Sequence, residues 1–150
     1  MLKGIDPLLG PELLATLRAM GHADEIAVVD ANFPAAANAR RLIRADGVGA
    51  TRMVGAILSV LPLEQFESVA AFRMAVDGAP HELPPVIGEF EALLRAAGYE
   101  GPIAALDRFS FYERTRGACA IVATGERRYW ANLILKKGAI PPGDDRDGAA

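Results

Sequence analysis

Cysteine is almost absent: Cys119 is the only one in 150 residues, so no intrachain disulfide can form and a reducing, cytoplasmic setting is expected. Its apolar neighbours, Ala118, Ala120, Ile121 and Val122, make it a buried small hydrophobe rather than a nucleophile. Histidine is nearly as scarce. His22 and His81 stand far apart with no cysteine pair beside them, which argues against any metal site. His81, in the proline-bounded stretch Ala79 to Pro84, reads as an exposed loop residue. Phosphate-binding glycine loops are missing, because Gly47-Val48-Gly49 has no third glycine at the required spacing. No serine sits in a G-x-S-x-G turn, so a serine hydrolase is unsupported. No cofactor is expected.

Long hydrophobic runs are also missing. No window approaches the roughly 20 apolar residues of a membrane span, and Met1 to Gly10 lacks the basic start and apolar stretch of a secretory signal. Nor does one sign of charge dominate. The formal net charge is -3. The basic clusters Arg40-Arg41, Arg127-Arg128 and Lys136-Lys137 are short and separated by acidic residues. They read as solvated faces or strand edges, not as a nucleic-acid footprint. A soluble intracellular protein with neither nucleic-acid nor membrane partner is the expectation.

What the chain has is apolar content, 51% by residue, enough for one domain with a real core. Leu13, Leu14, Leu17 and Met20 fall on one face of a helix from Pro11, bounded by Gly10 and Gly21. Glu25 to Asp30 reads as a buried strand ending in a carboxylate. Ala31 to Ala39 reads as a loop or weak helix, and Leu42-Ile43 as a short strand. Further helices are expected from Thr51 to Leu61 and from Pro85 to Ala97, with a turn or two from Arg108 to Arg116. Strands are expected at Val69 to Val76, Ile103 to Leu106, Ala118 to Ala123 and Trp130 to Leu135. Alternating helices and short continuous apolar strands indicate a three-layer α/β/α sandwich with a largely parallel sheet. The domain should span 1–142, and the polar, glycine-rich stretch 143–150 reads as a disordered tail.

The candidate site residues lie at the ends of these elements. His22 follows the first helix, where it can be a helix-end cation or a proton-transfer group. Asp30 ends a strand, the edge at which open α/β sheets hold ligands, although a turn or capping aspartate would sit there too. Arg108, read plainly, is a surface cation pairing with Glu113 or Asp107. Asn132 interrupts an apolar strand, so its amide needs a partner or an edge position. Strand alternation puts Tyr129 and Trp130 on opposite faces, one of them in the core.

Six segments, in order, carry a resemblance: Gly21-His22-Ala23-Asp24-Glu25, Asp30-Ala31-Asn32-Phe33-Pro34, Ile43-Arg44-Ala45-Asp46-Gly47, Arg108-Phe109-Ser110-Phe111-Tyr112-Glu113-Arg114, Thr124-Gly125-Glu126-Arg127 and Asn132-Leu133-Ile134-Leu135-Lys136-Lys137-Gly138. Spread over about residues 1–140, they make the chain similar to the family of L-fucose mutarotase and D-ribose pyranase. The resemblance implies a cofactor-free isomerase that interconverts the anomers of a monosaccharide by acid–base ring opening and closure. It implies an α/β fold in a ring-shaped homo-oligomer, a decamer among the forms it allows, with sugar sites near subunit contacts. His22 matches the proton-donor position, Asp30 and Arg108 match sugar-binding positions, and Asn132 matches the asparagine of the aromatic-small-Asn segment. The ribose branch has histidine where Arg108 stands, which places this chain on the fucose side. Trp130 stands where the family usually has tyrosine; it keeps a stacking face and an N–H donor but cannot accept a hydrogen bond. The alternatives are a D-ribose pyranase and a non-catalytic sugar-binding protein.

Overall fold

The structure, a computed structural model, describes residues 1–143. From residue 144 on, the expected tail lies outside the described residues. In chain order the elements are α1 (Pro11–Ala19), β1 (Glu25–Val29), α2 (Ala35–Asn38), β2 (Leu42–Ala45), α3 (Ala50–Leu58) and β3 (Ala71–Met74). They continue with α4 (Pro85–Ala96), β4 (Ile103–Leu106), α5 (Arg108–Gly117), β5 (Ala120–Thr124) and β6 (Leu133–Lys136).

The strands form one sheet in the order β2-β5-β1-β6-β3-β4. β1 runs parallel to β5, β5 to β2 and β3 to β4, while β6 runs antiparallel to both β1 and β3. Five strands therefore point one way and β6 alone reverses. The central strands are apolar on both faces because helices cover both. Leu13, Leu17, Met53, Ile57, Phe90 and Leu94 cover one face from α1, α3 and α4. Phe33, Ala35 and Phe111 cover the other, so α2 and α5 form the third layer of the expected sandwich.

Three expectations need correction. The last strand starts at Leu133, not Trp130; Tyr129 and Trp130 sit in a turn, where Trp130 adopts φ +65°, a backbone state costly for an aromatic residue. The expected turn or two after Asp107 is a ten-residue helix, α5, capped by the Asp107 carboxylate, which accepts from the N–H groups of Phe109 and Ser110. Lastly, Lys136 is no solvated cation. It is buried on β6, its Nζ 2.6 Å from Glu67 Oε2, and opposite Glu25 in the β1–β6 register.

Glycine at 125 lets the end of β5 press against the loop after β2, since a Cβ there would lie 1.9 Å from the Asp46 carbonyl oxygen. That contact delivers Glu126, almost fully buried, to the start of α3, whose first turn has no side-chain cap of its own. Arg128 bonds Glu126 at 3.0 Å and Glu89 of α4 at 2.6 Å, tying the loop before β6 to two helices. Hydrogen bonds from Arg128 hold the Glu126 carboxyl down to about 2, against burial that pushes it up. A carboxylate lowered on folding contributes stability above its ordinary pKa and loses it as pH falls. Glu126→Gln should therefore cost about 2 kcal/mol near neutral pH. In denaturant titrations the gap to wild type should close as pH falls below about 4.

Candidate active site

Four of the five residues singled out in the sequence lie along the carboxyl edge of the sheet, and two of them, Asp30 and Asn132, are in contact. Asp30 follows β1, Arg108 opens α5 after β4, and Trp130 and Asn132 precede β6. Because β6 runs against β1, its beginning meets the end of β1. There Asn132 Oδ1 accepts the backbone N–H of Asp30 at 2.9 Å, and Asn132 Nδ2 donates to Asp30 Oδ2 at 2.9 Å. The amide that needed a partner is thus satisfied on both sides, with Met74 Sδ 3.9 Å from the same nitrogen. Asp30 Oδ1 also accepts from the N–H of Asn32, so the residue is a turn aspartate as well. Burial pushes the Asp30 carboxyl up, opposed by these donors.

Beside Asp30 opens a cleft of about 560 Å³, lined by Phe33, Pro34, Arg44, Asp46 and Thr124 among others, a volume usual for small-molecule sites. Arg108 does not line this cleft; it is half exposed, and its Nε lies 3.3 Å from Asp77 Oδ2 rather than pairing with Glu113 or Asp107. Its guanidinium carbon stands 5.0 Å from the centre of the Phe109 ring. Trp130 packs partly against the second apolar cluster, whereas Tyr129 is exposed.

His22 is not with them. It lies before the first residue of β1 and Asp30 after the last. Five residues at about 3.3 Å each separate the two ends by at least about 15 Å. A tight turn presents it: Gly21 N–H donates to Asp24 Oδ2 at 2.7 Å, and Ala23 takes φ +67°. Its imidazole, half exposed, contacts Glu64 through Nε2 and meets the Phe66 ring edge-on with centroids 5.9 Å apart. Glu64, absent from the sequence reading, is wholly buried. It lies in Leu61-Pro62-Leu63-Glu64-Gln65-Phe66, where a carboxylate among apolar residues was the available signal. Asp77, just past the strand expected at Val69 to Val76, was likewise missed as the partner of Arg108. Among the described residues no group of three or more His, Cys, Asp or Glu is placed to hold a metal ion. None of their helices is long and apolar enough to cross a membrane.

One edge of the molecule thus offers fixed hydrogen-bonding groups to a polar ligand, and the opposite edge offers a titratable imidazole. Residues 3–140 match the RbsD / FucU transport protein family. The chain belongs to this family. Among RbsD/FucU relatives, the fucose mutarotase of Homo sapiens is 45% identical over 145 residues, covering 93% of this chain and 94% of its own. The L-fucose mutarotase of Actinobacillus pleuropneumoniae serotype 5b is 39% identical over 144 residues, covering 94% and 99%. A crystal structure of the fucose mutarotase from Streptococcus pneumoniae in complex with L-fucose superposes with a TM-score of 0.87 at 41% identity, covering 93% of this chain and 100% of the other.

The Asp30–Asn132 pair gives this RbsD/FucU member a pH-sensitive point. Asn132→Asp would set two carboxylates at hydrogen-bonding distance, so one must keep its proton and its folded pKa rises. A raised carboxyl pKa gives stability that is present in acid and lost as pH rises. In thermal denaturation, the deficit of this variant against wild type should grow from about pH 4 to about pH 8.

Proposed function

We propose that the chain is an L-fucose mutarotase, with residues 1–142 acting as one domain. The observation that carries this reading is the near full-length match to fucose mutarotases, one of them solved with L-fucose bound. The carboxyl edge supports it locally. Asp30, Asn132 and Arg108 offer acceptors and donors for sugar hydroxyls, and Trp130 offers a flat apolar face. Arg108 stands where the ribose branch of the family has histidine, so L-fucose is preferred to D-ribose.

Mutarotation breaks the bond between the anomeric carbon and the ring oxygen. The proton on the anomeric hydroxyl leaves and the ring oxygen gains one, giving the open-chain aldehyde. Rotation about the next carbon–carbon bond and the reverse transfers close the ring on the other face. No electrons leave the sugar. His22 takes the proton from one oxygen and returns it to the other, which an imidazole does well near neutral pH.

Since β1 separates His22 from Asp30 by more than a sugar ring can bridge, the site is completed between subunits. His22 of one protomer faces the Asp30–Asn132–Arg108 edge of the next. The exposed apolar residues are placed for such a contact. Phe66 stands beside His22 at the amino edge, and Phe109 and Tyr129 stand at the carboxyl edge, each at least 71% exposed. Two different surfaces meeting head to tail close into a ring, with a decamer of stacked rings as one outcome. The single, half-buried Cys119 suits a cytoplasmic ring.

Anomer exchange measured by saturation-transfer NMR on L-fucose tests the reading. His22→Gln should slow exchange by about 10²–10⁴-fold, down to the uncatalysed rate if that is reached first, with sugar affinity by calorimetry little changed. Near-normal exchange in that folded variant would remove His22 and leave a sugar-binding protein. Arg108→Ala should also fail, by weakening binding. When the two dead variants are dissociated, mixed in equal amounts and reassembled, about a quarter of the contacts pair two intact halves, so activity should return to about that level. No recovery would place both halves within one subunit.

A further inference from the structure

We propose that Glu64 is the positioning residue of His22, fixing its proton on Nε2 and thereby making Nδ1 the nitrogen that meets the sugar. The inference rests on the reading of His22 as the proton-transfer group. Glu64 is 0% exposed, yet its two oxygens are used very differently. Oε1 accepts backbone N–H groups from Gln65, Phe66 and Glu67 in succession. Oε2 has no such donor and faces His22 Nε2 alone. The carboxylate cannot swing away, because its backbone is clamped. Glu64 N–H donates to the Lys136 carbonyl at 3.0 Å, and Gly138 N–H donates to that of Pro62 at 2.8 Å. A Cβ on Gly138 would lie 2.2 Å from the Leu63 carbonyl oxygen, so only glycine permits the approach.

Burial pushes the Glu64 carboxyl up, but the backbone donors and His22 outweigh it and leave it below the ordinary carboxylate value. It is therefore ionised and can only accept. A neutral imidazole against it must carry its hydrogen on Nε2, which leaves the lone pair on Nδ1. Nδ1 makes no hydrogen bond among the described residues, and the His22 side chain is half exposed. When Nδ1 takes a proton from the anomeric hydroxyl, the positive charge forms beside a fixed carboxylate, which stabilises it until the proton passes to the ring oxygen.

The experiment reads the tautomer directly. Long-range proton–nitrogen NMR distinguishes the protonated from the bare ring nitrogen, and a His81→Asn background leaves His22 as the only histidine. Without sugar, the intact assembly should show hydrogen on Nε2 and a bare Nδ1. Glu64→Gln should invert this: the amide oxygen keeps the three backbone donors, and the amide NH₂ then donates to Nε2, moving the ring proton to Nδ1. Exchange of L-fucose should fall about tenfold or more, with sugar affinity within about twofold of wild type. Glu64→Asp should keep hydrogen on Nε2 and retain more exchange than the glutamine variant. Hydrogen on Nδ1 in wild type overturns the proposal, and this measurement stands even if the glutamine variant does not fold. An unchanged tautomer or exchange rate in folded Glu64→Gln overturns it too. If His22→Gln exchanges normally, the functional reading fails instead, and the tautomer still reports whether Glu64 orients the ring.

Discussion

The reversal of β6 is the constraint on which the carboxyl edge depends. Every other strand in the sheet points the same way, and in such a sheet the residues at strand ends come from loops after strands. Because β6 enters from the opposite direction, the residues before it arrive at the end of β1. Asn132 then meets Asp30 through two hydrogen bonds of opposite sense. The Asp30 backbone N–H can only donate, so the amide oxygen must face it and the amide nitrogen is left to donate to the carboxyl group. An orientation fixed this way would persist on binding of the proposed sugar. The cost is a carboxyl group held partly out of water, visible as its upward shift. Hydrogen bonds to a charged group, at about 1.5–3 kcal/mol each, offset such a cost.

A different economy operates on the second face. α5 buries little apolar surface, chiefly Phe111. Its docking depends instead on charge. Arg114 grips Glu25 of β1 through Nε and Nη2 at 2.6–3.1 Å and lays its guanidinium 3.6 Å over the Phe72 ring. Arg116 reaches Asn38 of α2 at 2.8 Å. Lys136 completes the group, 4.0 Å from the same Glu25. Partly buried ion pairs stabilise little over an apolar replacement, but removing one partner strands the other. The arrangement therefore specifies where α5 sits, and α5 carries Arg108 at its first turn.

Much of this was legible in the chain. The short apolar runs bounded by Gly and Pro located the strands, and Ile103 to Leu106 was found to the residue. Asn132 in apolar surroundings announced that it needed a partner. The sense of β6 was not legible, because an apolar run carries no direction. Trp130 was misread for a related reason: aromatic residues favour strands, and only tertiary contacts hold this one at positive φ. Lys136 was misread because burial of a lysine depends on Glu67 and Glu25, far away in sequence. Glu64 was missed because its environment is assembled from the backbone of Lys136 to Gly138. The distance between His22 and Asp30 was present all along, since the strand expected at Glu25 to Asp30 separates them.

That distance has a consequence for how the two halves can be built. A proton-transfer group, the role proposed for His22, works best with one side fixed and the other open, and this ring has a buried carboxylate against Nε2 while remaining half exposed. A group that holds hydroxyls works best when its own hydrogen bonds are already made, as at Asn132. The first needs an exposed edge and the second a buried one, and a single short strand supplies both at its opposite ends. Joining them across a subunit boundary, as proposed, would let each be built by its own end of the strand. In the proposed assembly a bound sugar would stand between the imidazole and the Asp30 carboxyl. Without that separation Asp30 would take Nδ1, and an imidazole held by a carboxylate at each nitrogen has none free to offer.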